Sequence, residues 1–217
     1  MKFEPIDLQT LPRGEMFYYF SKMAPTGYSL TVSMDVTKLR QTLKETGLKF
    51  FPAYLWLVTK NLNQQMEFKM AVQEETLGYF HSLTPLYATF HREEHTFSMM
   101  WTEFSDDFHI FYQNYLENQE KYGNGKGVLS RPELPPPNAY TVSCVPWISF
   151  EHFAVHNYEK KDYFFPSVEA GAFREEGEKV WMPLSLTCHH AATDGYHVHL
   201  FLQDLQKDMD TFEQYLL

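Results

Sequence analysis

Hydrophobic positions change their period several times along the chain, and each change marks an element. Residues 28–34, Tyr-Ser-Leu-Thr-Val-Ser-Met, alternate and predict a strand with one covered face. From Asp35 the spacing lengthens. Val36, Leu39 and Leu43 lie a helical turn apart, which predicts a helix capped by Asp35 and stopped at Gly47. Residues 51–67 put Leu55, Val58 and Leu62 on one face of a second, more buried helix. Residues 68–103 return to strand periodicity in 69–72, 86–90 and 96–101, joined by turns. Ser105 or Asp106 is expected to cap a third helix carrying Phe108, Phe111 and Tyr115.

A loop follows. Gly123-Asn124-Gly125-Lys126-Gly127 is flexible, and Pro135-Pro136-Pro137 is stiff and extended. The strand-like segments on either side are too few for two closed sheets, so the loop is expected to be a surface excursion within one domain, residues 1–217. Beyond it, 140–145 predict a strand ended by Pro146, 147–155 continue as extended chain, and 180–188 predict another strand. Asp194 is expected to cap a last helix whose stripe is Val198, Phe201, Leu202, Leu205, Met209, Phe212 and Leu216. Strands and helices mix without strict alternation. The expected class is α+β, an α/β sandwich: a mixed, largely antiparallel sheet with helices packed on one side.

Composition narrows the partners. A chain of 217 residues with 44% apolar content can bury a sizeable core without staples. Nineteen Phe and fourteen Tyr serve either that core or a pocket for a flat ligand. A formal charge of −10 repels phosphate backbones and argues against nucleic acid, while allowing a local basic spot for one anionic cofactor. Two cysteines, Cys144 and Cys188, are too few for a disulfide framework and suit a reducing cytosol. The opening residues lack the apolar run of a leader, and no stretch is long and apolar enough to predict a membrane span, so a cytoplasmic location is expected.

The candidate chemistry lies in residues 185–197, Ser-Leu-Thr-Cys-His-His-Ala-Ala-Thr-Asp-Gly-Tyr-His. Adjacent histidines on a strand point to opposite faces and do not share a metal easily, and no His-Glu-x-x-His or Cys-x-x-Cys spacing is present. No metal site is expected. Cys188 is not aimed by its neighbour, so both cysteines read as buried and structural. The third reading is a base. Alternation puts one histidine in the core and one in the open, and the Asp194-Gly195 turn before the last helix holds that loop. A histidine so held is a competent general base at neutral pH. Two hydrogen-bonded core histidines beside an ordinary helix cap satisfy the same spacing.

His189-His190-Ala-Ala-Thr-Asp194-Gly195 resembles the His-His-x-x-x-Asp-Gly signature of the chloramphenicol acetyltransferase superfamily. Leu11-Pro12-Arg13, residues 26–31, Lys49-Phe50-Phe51-Pro52, Phe90-His91 with Thr96-Phe97-Ser98, and Ser143-Cys144-Val145-Pro146-Trp147 resemble its trimeric chloramphenicol enzymes, in the same order over nearly the whole chain. The resemblance implies that His190 is the base, Ser143 the donor to the oxyanion, and Asp194 with Arg13 a supporting salt bridge. It implies acetyl-CoA as co-substrate with no further cofactor, and chloramphenicol or a similar small alcohol as acceptor. It also implies a homotrimer in which the histidine of one subunit faces a pocket built by its neighbour. On that pattern Tyr19, Phe20, Tyr28, Phe97 and Glu169 are acceptor-binding, while Lys49 and Arg174 serve CoA.

The chain departs from the pattern in places. The order Tyr19-Phe20 reverses the expected Phe-Tyr. Glu169 stands where a small hydroxyl residue is expected, and Ala172 where a basic residue near the CoA phosphate is expected, with Arg174 as its substitute. A carboxylate at 169 would raise the basicity of His190 or select another acceptor.

Overall fold

A computed structural model describes residues 2–156 and 162–217. The chain begins with strand β1 (Phe3–Pro5) and the short helix α1 (Gly14–Tyr18), which runs on as a wider helical turn over Tyr19–Met23. Then come β2 (Gly27–Asp35), α2 (Thr37–Thr46) and α3 (Phe50–Leu62). Four strands follow: β3 (Met70–Gln73), β4 (Thr76–Phe80), β5 (Thr84–His91) and β6 (Thr96–Trp101). After α4 (Phe108–Tyr122) come β7 (Ala139–Val145), β8 (Ser167–Gly171), β9 (Arg174–Glu176), β10 (Lys179–His189) and α5 (Gly195–Asp210).

Seven strands make the main sheet, in the order β2-β10-β8-β7-β5-β6 with β9 beside β10. β8 runs parallel to β7, and β7 to β5, while the other pairs are antiparallel. The sheet is therefore mixed and largely antiparallel, as its sequence predicts. A second, three-stranded sheet of β1, β4 and β3 lies apart from it, built partly from segments too short to show a period.

Alternation divides the main sheet into two faces. Val142, Val168, Ala170, Leu184 and Leu186 are fully buried against Leu55, Val58, Phe111, Phe201 and Leu205 of the helices. The other face carries hydroxyls. In register across it stand Ser143, Glu169, Ser185 and Thr31. Residues 147–155 form no strand. They lie over this second face, where the Phe153 carbonyl accepts from Ser185 and Val155 N–H donates to Thr187 Oγ1 at 3.3 Å.

Local differences from the expected elements have simple causes. α3 stops at Leu62 rather than reaching 67, because Asn63 turns out to accept Leu83 N–H at 2.8 Å and Phe68 folds back into the core in a 3₁₀ turn. Asp107, not Ser105 or Asp106, caps α4 by accepting from His109 and Ile110 N–H. Gly47 ends α2 with φ 70°, a conformation that favours glycine. The stripe on α5 is core, although Phe212 and Leu216 sit in a 3₁₀ turn beyond its end.

Candidate active site

β10 ends at His189, so strand alternation does not reach His190, and both histidines are half-buried rather than one in and one out. The chain then turns tightly, with Ala192 and Thr193 N–H both donating to the His189 carbonyl at 3.1 Å. His190 N–H donates to Thr26 O at 2.8 Å, which ties the turn to the start of β2. The His190 Nδ1 stands 3.0 Å from the Thr193 carbonyl. A carbonyl only accepts, so in the neutral ring Nδ1 carries the hydrogen and Nε2 keeps a free lone pair. Phe20 lies over the imidazole at 4.2 Å between centroids, and Tyr28 meets it edge-on at 5.3 Å. The Tyr28 hydroxyl donates to Thr193 Oγ1 at 3.2 Å, so one residue anchors the turn and walls the ring.

Behind the turn is a chain of charges. Arg13 pairs with Asp194 and reaches the His190 carbonyl with Nη2 at 3.5 Å. Its approach depends on Gly14, where a Cβ would stand 2.1 Å from the Leu8 carbonyl. Asp194 also caps α5, accepting from Tyr196 N–H, while His197 completes a capping box at 2.8 Å from its carboxylate. Burial alone would raise the Asp194 carboxyl, but the Arg13 hydrogen bond and the charges of His197 and Arg13 outweigh it and hold it down to about 2. His197 pairs in turn with Glu67 at 3.6 Å, and this partner raises it against the pull of burial, with the Asp194 charge assisting.

His189 has a different setting. Its Nδ1 accepts from Ala191 N–H at 3.1 Å, its ring packs on Phe164 at 4.9 Å, and burial lowers it. It lines, with Thr187 and Ser167, a cavity of about 1010 Å³ on the hydroxyl-bearing face. Burial pushes the Cys144 thiol up to about 11 and the Cys188 thiol up to about 12, so neither is a nucleophile near neutral pH. Among the described residues no cluster of His, Cys, Asp or Glu is placed to hold a metal ion.

Ser143 is elsewhere. It stands on β7, its carbonyl accepting from Tyr54 at 3.3 Å, in the row that runs through Glu169 to Ser185. His190 lies five residues past Ser185, so at about 3.3 Å per residue and two strand spacings the two groups are on the order of 15–20 Å apart in one chain. The other expected site residues divide between these ends. Phe20 and Tyr28 collect at His190, with Tyr19 edge-on to Phe20 at 5.0 Å and half exposed. Phe97 pairs with Phe90 at the far end of β5, and Phe90 packs on Trp147 at 4.8 Å. Lys49 and Arg174 are exposed and belong to that same end, because Phe50 packs edge-on against Phe173 at 4.9 Å. Glu169 is fully covered rather than open to a pocket.

Sequence reasoning passed over several contributors. Thr193 acts through its carbonyl, which any residue supplies. His197 stands three residues after Asp194, a spacing that a search for capping boxes detects. Glu67 and Arg40, whose guanidinium lies 4.7 Å over Phe173, are joined to the site only by folding.

A held imidazole with no nucleophile hydrogen-bonded to it among the described residues suits direct acyl transfer. A solved chloramphenicol acetyltransferase shares the fold at a TM-score of 0.82 and 21% identity, over 95% of this chain and 99% of its own. The chain belongs to the chloramphenicol acetyltransferase family, whose model matches residues 1–206. The chloramphenicol acetyltransferase of Campylobacter coli is 40% identical over 95% of this chain and 98% of its own. That of Staphylococcus aureus is 38% identical over the full length of both.

Proposed function

We propose that the chain, as a single domain over residues 1–217, transfers the acetyl group of acetyl-CoA to a hydroxyl of chloramphenicol. His190 Nε2 takes the hydroxyl proton while the oxygen attacks the thioester carbonyl. Ser143 donates to the oxyanion of the tetrahedral intermediate. The C–S bond then breaks, and the imidazolium returns its proton to the departing thiolate. A thioester is already activated, so no covalent enzyme intermediate is needed. The base should contribute roughly 10²–10⁴-fold and the oxyanion donor on the order of 10²–10³-fold.

The observation that carries this reading is a ring held by Thr193 and walled by Phe20 and Tyr28, its Nε2 without a partner among the described residues. The separation of His190 from Ser143 supports a site shared between copies, in a homotrimer where one subunit brings the base and its neighbour the serine. Exposed Leu30, Phe90, Phe97 and Trp147 supply apolar surface for such contacts. Lys49 and Arg174, helped by Arg40, are the cations available to an anionic co-substrate on a chain of charge −10. Two free cysteines suit the cytoplasm, where acetyl-CoA is available. No described helix is long and apolar enough to cross a membrane.

Release of free thiol from acetyl-CoA tests the reaction, with chloramphenicol as the acceptor. Drug-dependent release is the expected result, and release no faster than without drug overturns the reading. The reversed Tyr19-Phe20 order and Glu169 favour a second reading, the same chemistry on another small alcohol. A panel of hydroxylated compounds in which none matches chloramphenicol rejects it.

A further inference from the structure

Glu169 is a buried acid that the mechanism above leaves unused. It lies on β8 between Ser143 of β7 and Ser185 of β10, on the hydroxyl-bearing face. Its side chain is fully covered. Oε1 accepts from Ser167, two residues back on the same strand, while Oε2 is buried with no partner among the described residues. No described cation pairs with it. Burial raises the carboxyl to about 7 against the opposing Ser167 hydrogen bond. An unpaired carboxylate is costly in such a place, and the neutral acid is the form that burial favours.

The neutral acid needs an acceptor for its hydrogen. Of its two cross-strand neighbours, Ser185 is the more committed: it donates to the Phe153 carbonyl and accepts from Thr31 at 3.1 Å, which leaves it one lone pair. Ser143 Oγ also has no partner among the described residues; its strand lies one spacing away, about 4.8 Å, and a rotation of the two side chains is what joins Oγ to Oε2. We propose that Glu169 is a positioning residue: as the neutral acid its Oε2 donates to Ser143 Oγ and so turns the serine hydrogen toward the oxyanion. The ionised form does the reverse. It accepts the serine hydrogen and sets a negative charge beside the one that must develop. Full coverage makes direct contact with the acceptor unnecessary to this role.

Other titratable groups near Glu169 do not share its range. Its charge reaches the Tyr54 phenol on α3 and the Cys188 thiol on β10, both kept protonated by burial. Cys144 on β7 is likewise protonated. On β8 itself Ser167 carries no charge, and the covering segment holds Glu151 and His152, both solvent-exposed.

The kinetic consequence rests on the acetyl-transfer reading; the hydrogen bond itself does not. The test compares the full chain with E169Q over pH, reading kcat/KM for chloramphenicol, since the ratio of the two removes every titration they share. E169Q, whose amide donates in place of the neutral acid, is expected to match the wild type at low pH. The ratio of wild type to E169Q should then fall by up to about tenfold per pH unit above about 7. A ratio independent of pH overturns the proposal. In the free protein, difference infrared spectra should show a protonated carboxyl band that E169Q removes and S143A shifts. A band that S143A leaves in place overturns it too. A shifted band in a protein that acetylates nothing keeps the hydrogen bond and overturns the functional reading instead.

Discussion

The two ends of the main sheet are built on opposite principles. At the His190 end the described contacts that orient the ring come from its own chain: the Thr193 carbonyl fixes the tautomer, and Arg13, Asp194, His197 and Glu67 brace the turn from behind. Charge is plentiful there and each charge has a partner. At the Ser143 end the row is uncharged hydroxyls and one neutral-leaning acid, with aromatic rings and cations at its margin. On the proposed mechanism one end accepts the proton and the other cradles the oxyanion, and within one chain the two stand on the order of 15–20 Å apart.

The sharpest way to break that contrast is to remove each end in turn. His190→Ala should lose nearly all thiol release, and Ser143→Ala one to two orders less, given the roughly 10²–10³-fold expected of one oxyanion donor. Equal, small losses would refute the division. Mixing the two variants as refolded subunits sharpens it further. If the halves come from different subunits, random pairing restores about a quarter of the interfaces to an intact His190 and Ser143. Activity of the mixture no higher than that of Ser143→Ala alone would show that both halves act within one subunit.

How much of this was legible follows the physical scale of each feature. β2, β10 and α5 read off the sequence because each is long enough for its period to repeat and one face stays polar. β8 did not, although it is central. Its five residues, Ser-Val-Glu-Ala-Gly, are all buried, with Glu169 and Ser167 turned inward where the pattern predicts solvent. The Arg13–Asp194 pair was expected only because the chain resembles a family, since 181 residues separate the partners and no periodicity links them. The Glu67–His197 contact lacked even that signal. The separation of His190 from Ser143 is a property of strand register, which composition and spacing do not contain.

A smaller effect tests the bracing of the base end. The Asp194 carboxyl titrates lower in the fold, at about 2, than in an unfolded chain. Its contribution is therefore complete above about pH 4 and is lost as pH falls toward about 2. Asp194→Asn should cost about 1–2 kcal/mol at neutral pH, after allowance for a partly exposed pair, and the deficit should close in acid. Thermal melts of both proteins across that range check the sign. His197 works the other way, since its raised value means that its support fades as pH rises. A rate and a melting temperature both unchanged by Asp194→Asn would remove the pair from any role in holding the turn.

The smallest effect is also the most local. Tyr28 touches the base in two ways, by its ring edge at 5.3 Å and by its hydroxyl to Thr193 Oγ1 at 3.2 Å. Tyr28→Phe keeps the first and deletes the second. Thr193 is buried, and its hydroxyl still donates to the His189 carbonyl at 3.4 Å, so beside a weak contact with the Cys188 thiol the loss is one neutral hydrogen bond, about 0.5–1.5 kcal/mol. If that bond steadies the Thr193 carbonyl under His190 Nδ1, the rate should fall severalfold while KM for acetyl-CoA, which the proposed reading binds at the opposite margin, stays put. A change confined to KM for acetyl-CoA would mean that the two ends are not separable, because a hydroxyl beside the base would then be acting on the cradle of the same chain.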